Sequence, residues 1–389
     1  MEISSFLNPV PAEVINKIEI FSPQSWGNYV DFFSNQESFP NLENKKIAII
    51  GITEDRNAAF LQNAEDAPDA IRTYFYSLFP PFAYTRIVDL GNIKSGDTVE
   101  DTYYAIRFVV KELYEMDIVP LFFGGSQDIT FSIYKAFEEM KKLINIVAVD
   151  SKLDMGTMDE PLNENSYLSK IVTQKPNYLF NFSNLAYQTY LNDFHIIALM
   201  NDFFFDIHRL GEIRTDIKVC ESYMRNADVL SFDIASIREG DAPGQNFPSP
   251  NGLYAEEACQ LAYYAGLSEK ISVAGFYNFN SKLDRRGQTA HLIAQLLWHF
   301  VAGYIDRFYE SPWQDSKQFV RYNVKLEHEM IVFYRSKESN RWWMEVDVPL
   351  SKQERYGKVF LVPCSDREYE TAGQGDIPDL YFRTLQKMH

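Results

Sequence analysis

From about residue 46 onward, short apolar runs alternate with amphipathic segments, and this alternation restricts the fold more than any other feature of the sequence. Near-continuous apolar runs of this length suit strands that are covered on both faces of a parallel sheet. The predicted strands are residues 47–52, 87–90, 118–123, 144–150, 196–199, 229–234 and 271–276. Helical patterns lie between them, over residues 98–116 and 289–304 for example. Strand–helix repeats predict an α/β fold of three layers, α/β/α, with a doubly wound and mostly parallel sheet.

The pattern changes at two points, which divide the chain into three predicted regions. Residues 1–45 form an N-terminal extension, residues 46–312 the α/β domain, and residues 313–389 a small β-rich C-terminal appendage. In the appendage, residues 319–335, 341–348 and 358–362 have strand-like patterns, and we expect a loose tail after them. Its aromatic residues exceed what a small β unit can bury alone, so we expect it to pack on the main domain or on a neighbouring subunit.

Composition excludes several classes of protein. With 37 Lys and Arg against 54 Asp and Glu, the net charge is −17, which argues against binding to nucleic acid or to an anionic membrane. The three cysteines are far apart and show no CxxC or Cys/His metal spacing, which argues against a disulfide framework and a zinc site. Neither a signal-peptide pattern nor a long apolar run is present, so the expected location is the cytoplasm.

Three of the predicted strands end in unusual polar segments. They are GGSQD at residues 124–128, DSKLD at residues 150–154 and SFDIA at residues 231–235. In a doubly wound sheet, ligands bind beyond the carboxyl ends of the strands. Asp150, Asp154 and Asp233 are therefore predicted to meet, either as a site for a hard cation or as a salt-bridged cluster. Solvated acidic loop residues remain the alternative interpretation.

These segments resemble the signatures GG-x-H, D-x-H-x-D and S-x-D-x-D of the ureohydrolase family, which contains arginases, agmatinases and formimidoylglutamases. The third segment is followed by APG at residues 242–244, as it is in that family. Further similar segments are DAPDAIR at 66–72, NGL at 251–253, NFNSKLD at 278–284 and TA at 289–290. The resemblance covers residues 46–310 in the right order. It implies an arginase-like main domain, a binuclear manganese centre and a homo-oligomer.

Carried over residue by residue, the six metal-ligand positions of the family are only partly retained. They fall on Gln127, Asp150, Lys152, Asp154, Asp233 and Ala235. None of the six histidines, at 195, 208, 291, 299, 328 and 389, stands at one of these positions. The resemblance therefore implies one divalent cation at most, Mn²⁺ or Mg²⁺, on the three aspartates and Gln127, or no cation at all. Lys152, Ala235 and Ser126 are predicted to line this site as replacements.

The catalytic positions are also altered. Asn278 stands where the family has a substrate-facing glutamate, and it has no carboxylate that could pair with a guanidinium group. The loop at residues 162–167 contains no histidine that could transfer protons. No residue is therefore assigned as catalytic.

Lys152 replaces a metal-binding histidine. A protonated lysine has no lone pair for a metal, but its charge can stabilise neighbouring carboxylates. We expect the Lys152 ammonium group to lie roughly where the second metal of the family would be.

Two functions remain open. The replacements favour a degenerate, non-hydrolytic member of the ureohydrolase fold that binds a small ligand or a protein partner. The alternative is a hydrolase that cleaves C–N bonds in linear amidines with a single divalent cation, as a formimidoylglutamase, agmatinase or arginase does with two.

Overall fold

The computed structural model describes residues 2–60, 64–81, 86–157, 159–327 and 329–388. In these residues a central sheet has the strand order β1-β4-β3-β5-β10-β9-β6-β7-β8, and β2 also pairs with β4. Its strands are β1 (Leu7–Asn8), β2 (Asp31–Phe32), β3 (Ile47–Gly51), β4 (Ile87–Ile93), β5 (Val119–Phe123), β6 (Ile144–Val149), β7 (Leu179–Tyr187), β8 (Asp206–Arg209), β9 (Val229–Asp233) and β10 (Val273–Tyr277). Among the described strands of this sheet, only β1 runs antiparallel to its neighbour.

Helices cover both faces of the sheet. They are α1 (Ala12–Asn16), α2 (Ala67–Ser77), α3 (Val99–Glu115), α4 (Ile129–Glu139), α5 (Tyr167–Val172), α6 (Phe194–Asp202), α7 (Leu210–Thr215), α8 (Cys220–Arg225), α9 (Ala255–Gly266) and α10 (Gln288–Ile305). Side chains alternate between the faces of a strand. In β3, Ile47 and Ile49 pack in the core under α2, α9 and α10, whereas Ala48 and Ile50 pack in the core under α3 and α4. The predicted three-layer, mostly parallel fold is confirmed.

One predicted strand is wrong. Residues 196–199 lie in α6, a helix that begins after Asp193, whose side chain accepts a hydrogen bond from the backbone N–H of His195. A short apolar run is compatible with a strand and with a helical turn, and here the N-terminal cap at Asp193 favours the helix. Four strands of the sheet, β1, β2, β7 and β8, were not predicted. The two-residue strands β1 and β2 come from the predicted N-terminal extension, which thus contributes to the main sheet, and Asn181, Ser183 and Asn184 interrupt the apolar pattern of β7.

The appendage is a four-stranded antiparallel sheet followed by helices. Its strands are β11 (Phe319–Lys325), β12 (Met330–Ser336), β13 (Trp342–Asp347) and β14 (Val359–Cys364), and its helices are α11 (Gln353–Tyr356), α12 (Asp366–Gly373) and α13 (Asp379–Lys387). The expected loose tail is therefore wrong. Leu380, Tyr381 and Met388 of the tail are buried in the appendage core. A helix as short as α13 is stable only when its apolar face packs against the rest of the protein, so the sequence of this segment alone did not predict it.

The appendage packs on the α/β domain, which is one of the two alternatives expected from its aromatic content. Lys387 of α13 forms an ion pair of 3.1 Å with Asp206 of β8, and both side chains are almost fully buried. Arg225 of α8 donates from Nη2 to the carbonyl oxygens of Trp342, at 3.1 Å, and Cys364, at 3.2 Å. Among the described helices of both regions, none is long and apolar enough to cross a membrane.

Candidate functional site

The polar strand ends lie side by side at one edge of the sheet, because β5, β10, β9 and β6 are consecutive in the strand order. After β5 the chain turns through Gly124 and Gly125, both with positive φ, of +85° and +68°. A Cβ atom at Gly124 would lie 2.5 Å from the carbonyl oxygen of Ile52, so the turn needs glycine on steric grounds as well. This close turn brings Gln127 over the ends of β9 and β10.

Gln127 is buried below the site. Its backbone N–H donates to Asn278 Oδ1 at 3.1 Å, and its Nε2 donates to Ser231 Oγ at 3.2 Å. Its Oε1 is buried and has no hydrogen-bond donor among the described residues. The neighbouring Ser126 points elsewhere, because its hydroxyl group bonds to Asp128. The structure thus leaves one amide oxygen of Gln127 free for a ligand, and it removes Ser126 from the predicted lining.

Asp150 and Asp154 follow β6 and face each other. Asp150 Oδ1 accepts from the backbone N–H of Lys152 at 2.8 Å, while its Oδ2 is buried with no donor from the described chain. Asp154 adopts a left-handed conformation with φ +43°, which turns its carboxyl group back toward Asp150. One proton shared between the two groups would make the hydrogen bond that neither can make when both are ionised.

Asp233 ends β9, and its Oδ1 accepts from the backbone N–H of Ala235 at 2.7 Å. Ala235 follows in a short 3-10 turn and carries no polar side chain. Asp233 and Ala235 line the same cavity as Asp154 and Lys152, and the sequence had predicted that these four residues lie together. The cavity wall therefore contains two of the three retained carboxylates together with the replaced positions 152 and 235, whereas Asp150 is buried behind it.

The three carboxyl groups are hard to ionise together. Burial, joined by the charge of Asp154, raises the pKa of Asp150 well above its ordinary value. Burial and the charge of Asp150 do the same for Asp233. Burial, with a further contribution from Asp233, raises the pKa of Asp154 to about 7. Buried carboxylates that repel one another take up protons unless a cation lies close to them.

Lys152 lies in the cavity but forms no ion pair with these carboxylates within the described chain. Its Nζ donates to Asn165 Oδ1 at 2.9 Å and lies 4.4 Å from the centroid of the Phe247 ring. Its positive charge still lowers the pKa of Asp150, Asp154 and Asp233, although burial outweighs this effect. The ammonium group thus acts on the cluster from the cavity wall and not from its centre.

The cavity has a volume of about 420 Å³, which suits a small organic ligand. Asn278 lines it with φ +66°, and its side chain is held by Gln127 and Asp233. Glu164 also lines it; its carboxylate accepts two contacts of 3.2 and 3.0 Å from the backbone N–H of Ala59. Of the histidines that the structure describes, none lines the cavity, and His328 and His389 lie outside the described residues.

The donor set fits one divalent cation by its chemistry and does not fit two. Asp150 Oδ2 and Gln127 Oε1 are buried oxygen atoms without donors, and the carboxyl groups of Asp154 and Asp233 complete a set of oxygen ligands of the kind that Mn²⁺ and Mg²⁺ accept. At the second position, Lys152 and Ala235 supply no ligand atom. In the described part of the chain, no three His, Cys, Asp or Glu side chains converge closely enough to form a ready-made metal cluster.

Four further side chains at the candidate site were not singled out from the sequence. Tyr167 is buried beside the carboxyl groups, and burial and then their charges raise its pKa well above its ordinary value. Glu164, Asn165 and Phe247 line the cavity. Glu164, Asn165 and Tyr167 all lie in or at the end of the loop at residues 162–167, and the position of this loop after the second polar strand end is the signal that could have identified them. Phe247 stands in a Pro-rich loop that carries no motif.

The chain is similar in sequence to proteins of one known family. The Arginase family model matches residues 45–303. The chain is 24% identical to a formimidoylglutamase of Staphylococcus haemolyticus (strain JCSC1435), over 69% of this chain and 90% of that protein. It is also 24% identical to a formimidoylglutamase of Staphylococcus aureus (strain MSSA476), over 66% of this chain and 85% of that protein.

Solved structures show the same fold. A formiminoglutamase of Trypanosoma cruzi with Mn²⁺ matches with a TM-score of 0.63 and 20% identity, over 70% of this chain and 97% of that chain. The formimidoylglutamase of Bacillus subtilis matches with a TM-score of 0.62 and 20% identity, over 68% and 89%. The expectation of an arginase-like main domain is thereby confirmed.

Proposed function

The chain belongs to the arginase family, and from that premise we propose that it is a hydrolase of C–N bonds in linear amidines that works with one divalent cation. The carrying observation is the pair of buried oxygen atoms without donors, Asp150 Oδ2 and Gln127 Oε1, beside the carboxyl groups of Asp154 and Asp233. Such atoms are costly unless something binds them. A cation bound there would give both oxygen atoms a partner, and the side chains of Asp154 and Asp233 would have to move toward it, since they do not converge in this structure.

The four groups would hold Mn²⁺ or Mg²⁺, which when bound supplies Lewis-acid activation of water and of the amidine carbon. The charge of the cation would also oppose the proton uptake that burial imposes on the three aspartates. The opposite wall, made by Lys152 and Ala235, would remain free of metal and open to the ligand.

Glu164 is the cavity carboxylate that is not needed for the cation. Its carboxylate is anchored by the backbone N–H of Ala59 and borders the cavity, where it can pair with a positively charged amidinium group. It would thus provide the negative charge that Asn278 lacks. Phe247, whose ring packs edge-to-face on Phe60 at 5.0 Å, would limit the width of the cavity.

A second function, non-hydrolytic ligand binding, is favoured by one observation. The Lys152 ammonium group is already fixed in the cavity by Asn165 and Phe247, so a positive charge is present without a metal. In that case Asp150 and Asp154 would share a proton permanently, and the cavity would bind a ligand without cleaving it.

The two functions are separated by metal content and turnover. We expect protein purified without chelator and dialysed against Mn²⁺ to retain one metal per chain by elemental analysis, and to release product from formimidoylglutamate, agmatine or arginine. Asp150→Asn should lose the metal and the activity together, whereas Asp97→Asn, an exposed control outside the cavity, should keep both. Protein that retains no metal and cleaves no amidine, but binds one by calorimetry, would support the second function instead.

A further inference from the structure

A second cavity lies at the junction between the α/β domain and the appendage. It has a volume of about 570 Å³ and shares no lining residue with the strand-end cavity. Its walls come from α8, from the turn before β13 and from the residues around the start of α12, among them Arg225, Arg341 and Trp342. Its size is that of a site for a small organic molecule.

Two arginines in this cavity are almost completely buried and surround one carboxylate oxygen. The side chains of Arg225 and Arg341 are 6% and 9% exposed, respectively. Arg225 Nε lies 3.2 Å from Glu221 Oε1, and Arg341 Nε lies 3.0 Å from the same atom. Two guanidinium groups thus share one partner atom, although each could hold a carboxylate by itself.

Both arginines retain unused donors. Arg225 Nη2 is fixed by the carbonyl oxygens of Trp342 and Cys364. The Nη1 atoms of Arg225 and Arg341 are buried, and neither has an acceptor among the residues that the structure describes. A buried donor of a charged group without an acceptor is rare in folded proteins, because it loses its water without compensation.

The other carboxylates nearby are engaged elsewhere. Glu310 accepts hydrogen bonds from the hydroxyl groups of Ser336 and Ser339, and Glu269 accepts from the backbone N–H of Glu310 at 2.8 Å. Asp216, on the cavity wall, pairs with Arg367 at 2.9 Å. Asp366, also on the wall, is exposed to solvent. The two free Nη1 groups therefore require an acceptor that the described chain does not provide.

We propose that this junction binds a small organic anion, whose carboxylate or phosphate group accepts from Nη1 of Arg225 and of Arg341. A guanidinium group presents its donors in a planar fork that matches these oxyanions. Trp342 and Leu267 provide apolar surface for the rest of the ligand. Because Arg225 stands on α8 and Arg341 precedes β13, the anion bridges the two regions and stabilises their contact.

The test uses the full-length protein and three probes at matched ionic strength: inorganic phosphate, malonate and sodium chloride. We expect phosphate, malonate or both to raise Tm and to bind saturably by calorimetry, whereas chloride does neither. Binding of phosphate alone assigns a phosphate ligand, binding of malonate alone a carboxylate ligand, and binding of both the shared oxyanion chemistry. Since no amidine is involved, the outcome does not depend on the proposed hydrolase activity.

Variants locate the site. Arg341→Gln should weaken binding at least about tenfold, because it removes one of two charged donors while Glu221 keeps Arg225 as its partner. Arg321→Gln, which changes an exposed arginine of β11 outside the cavity, should bind as the wild type does. If Arg341→Gln does not fold, Arg341→Lys, which keeps the charge but loses the fork, should still lower affinity. Absence of saturable binding by the wild type, or equal binding by the folded Arg341 variant, overturns the proposal.

Discussion

The central sheet carries buried carboxyl groups at two places, Asp89 on β4 and the strand-end group of Asp150, Asp154 and Asp233, and within the described residues only at the first place does a side chain of the protein neutralise the charge. Asp89 on β4 is fully buried, and its carboxylate accepts from Arg72 Nε at 2.8 Å and Nη2 at 3.0 Å and from the backbone N–H of Gly91 at 2.8 Å. Although burial lowers it, the charge of Asp89 raises the pKa of the Arg72 guanidinium group above its ordinary value. The charge of Asp89 is thus neutralised by a side chain of the protein, Arg72.

The strand-end group of Asp150, Asp154 and Asp233 has no such direct partner among the described residues. Its nearest cation, Lys152, bonds to Asn165, and burial raises the pKa of all three carboxyl groups. A structural carboxylate is thus neutralised by a side chain, whereas the carboxylates of a binding site are left to take up protons or a ligand. This difference between the two groups supports the proposed role of the strand-end group, and four experiments test it.

The largest effect on stability is expected for the Arg72–Asp89 ion pair, in which the cation is a side chain of the protein. Arg72→Met should lower the free energy of unfolding by about 3–5 kcal/mol, because it leaves Asp89 buried without a charge partner. Urea unfolding measures this change. Arg286→Met, at an exposed position, is the control and should change the stability by less than about 0.5 kcal/mol. A loss of less than about 1 kcal/mol in Arg72→Met would remove the contrast between the two groups.

The next effect is a pH dependence of stability that arises from the strand-end group. For Asp154 the ordinary pKa is 3.8 and the folded pKa is about 7, so the folded state holds this proton more tightly than the unfolded state. Metal-free protein should therefore lose about 2–4 kcal/mol of stability as the pH rises from about 4 to 7, with Asp150 and Asp233 acting in the same direction. Asp154→Asn should flatten this slope, and Asp97→Asn should not. A wild-type profile that is level between these pH values would contradict the raised pKa.

A third experiment restores the missing ligands. The combination of Gln127→His, Lys152→His and Ala235→Asp should raise the affinity for Mn²⁺ at least about tenfold, equivalent to about 1.4 kcal/mol. The changes at 152 and 235 add two ligand side chains, and the change at 127 replaces an amide oxygen with an imidazole nitrogen. Calorimetry with metal-free protein measures the affinity. The single change Ser126→His is a useful control, since Ser126 bonds to Asp128 and does not line the cavity. Equal affinity of the triple variant and the wild type would show that the strand ends are not spaced for metal.

The smallest effect concerns Lys152. Removing one partner of a fully buried ion pair costs about 3–5 kcal/mol, but Lys152 Nζ bonds to Asn165 and the residue is only half-buried. Lys152→Met should therefore cost only about 1 kcal/mol near pH 7, after allowance for solvent screening. This cost should vanish at about pH 4, where the carboxyl groups are protonated. Thermal unfolding at both pH values tests this, with exposed Lys282→Met as the control; an equal loss at both would assign the effect to packing.

Much of the fold was predictable from the sequence because its signals are local. Buried parallel strands read as apolar runs, and this identified β3, β5, β6, β9 and β10 within one or two residues. The segment 196–199 failed because four apolar residues carry no period, and the Asp193 cap had more influence than strand propensity. Strand β7 was missed since its polar residues bond inside the protein, as Asn184 does with the carbonyl oxygen of Lys152.

What the sequence by itself determined is which side chains stand at the strand ends, since the order of a parallel sheet places Asp150, Asp154, Asp233 and Gln127 at one edge. Only the tertiary structure decided their chemical state. Whether a carboxyl group keeps its proton depends on burial and on distances to charges from other segments, and those distances are set by packing. Lys152 shows the difference. Its sequence position predicted a partner among the aspartates, yet Asn165 and Phe247, brought in by two other loops, hold its ammonium group at the wall.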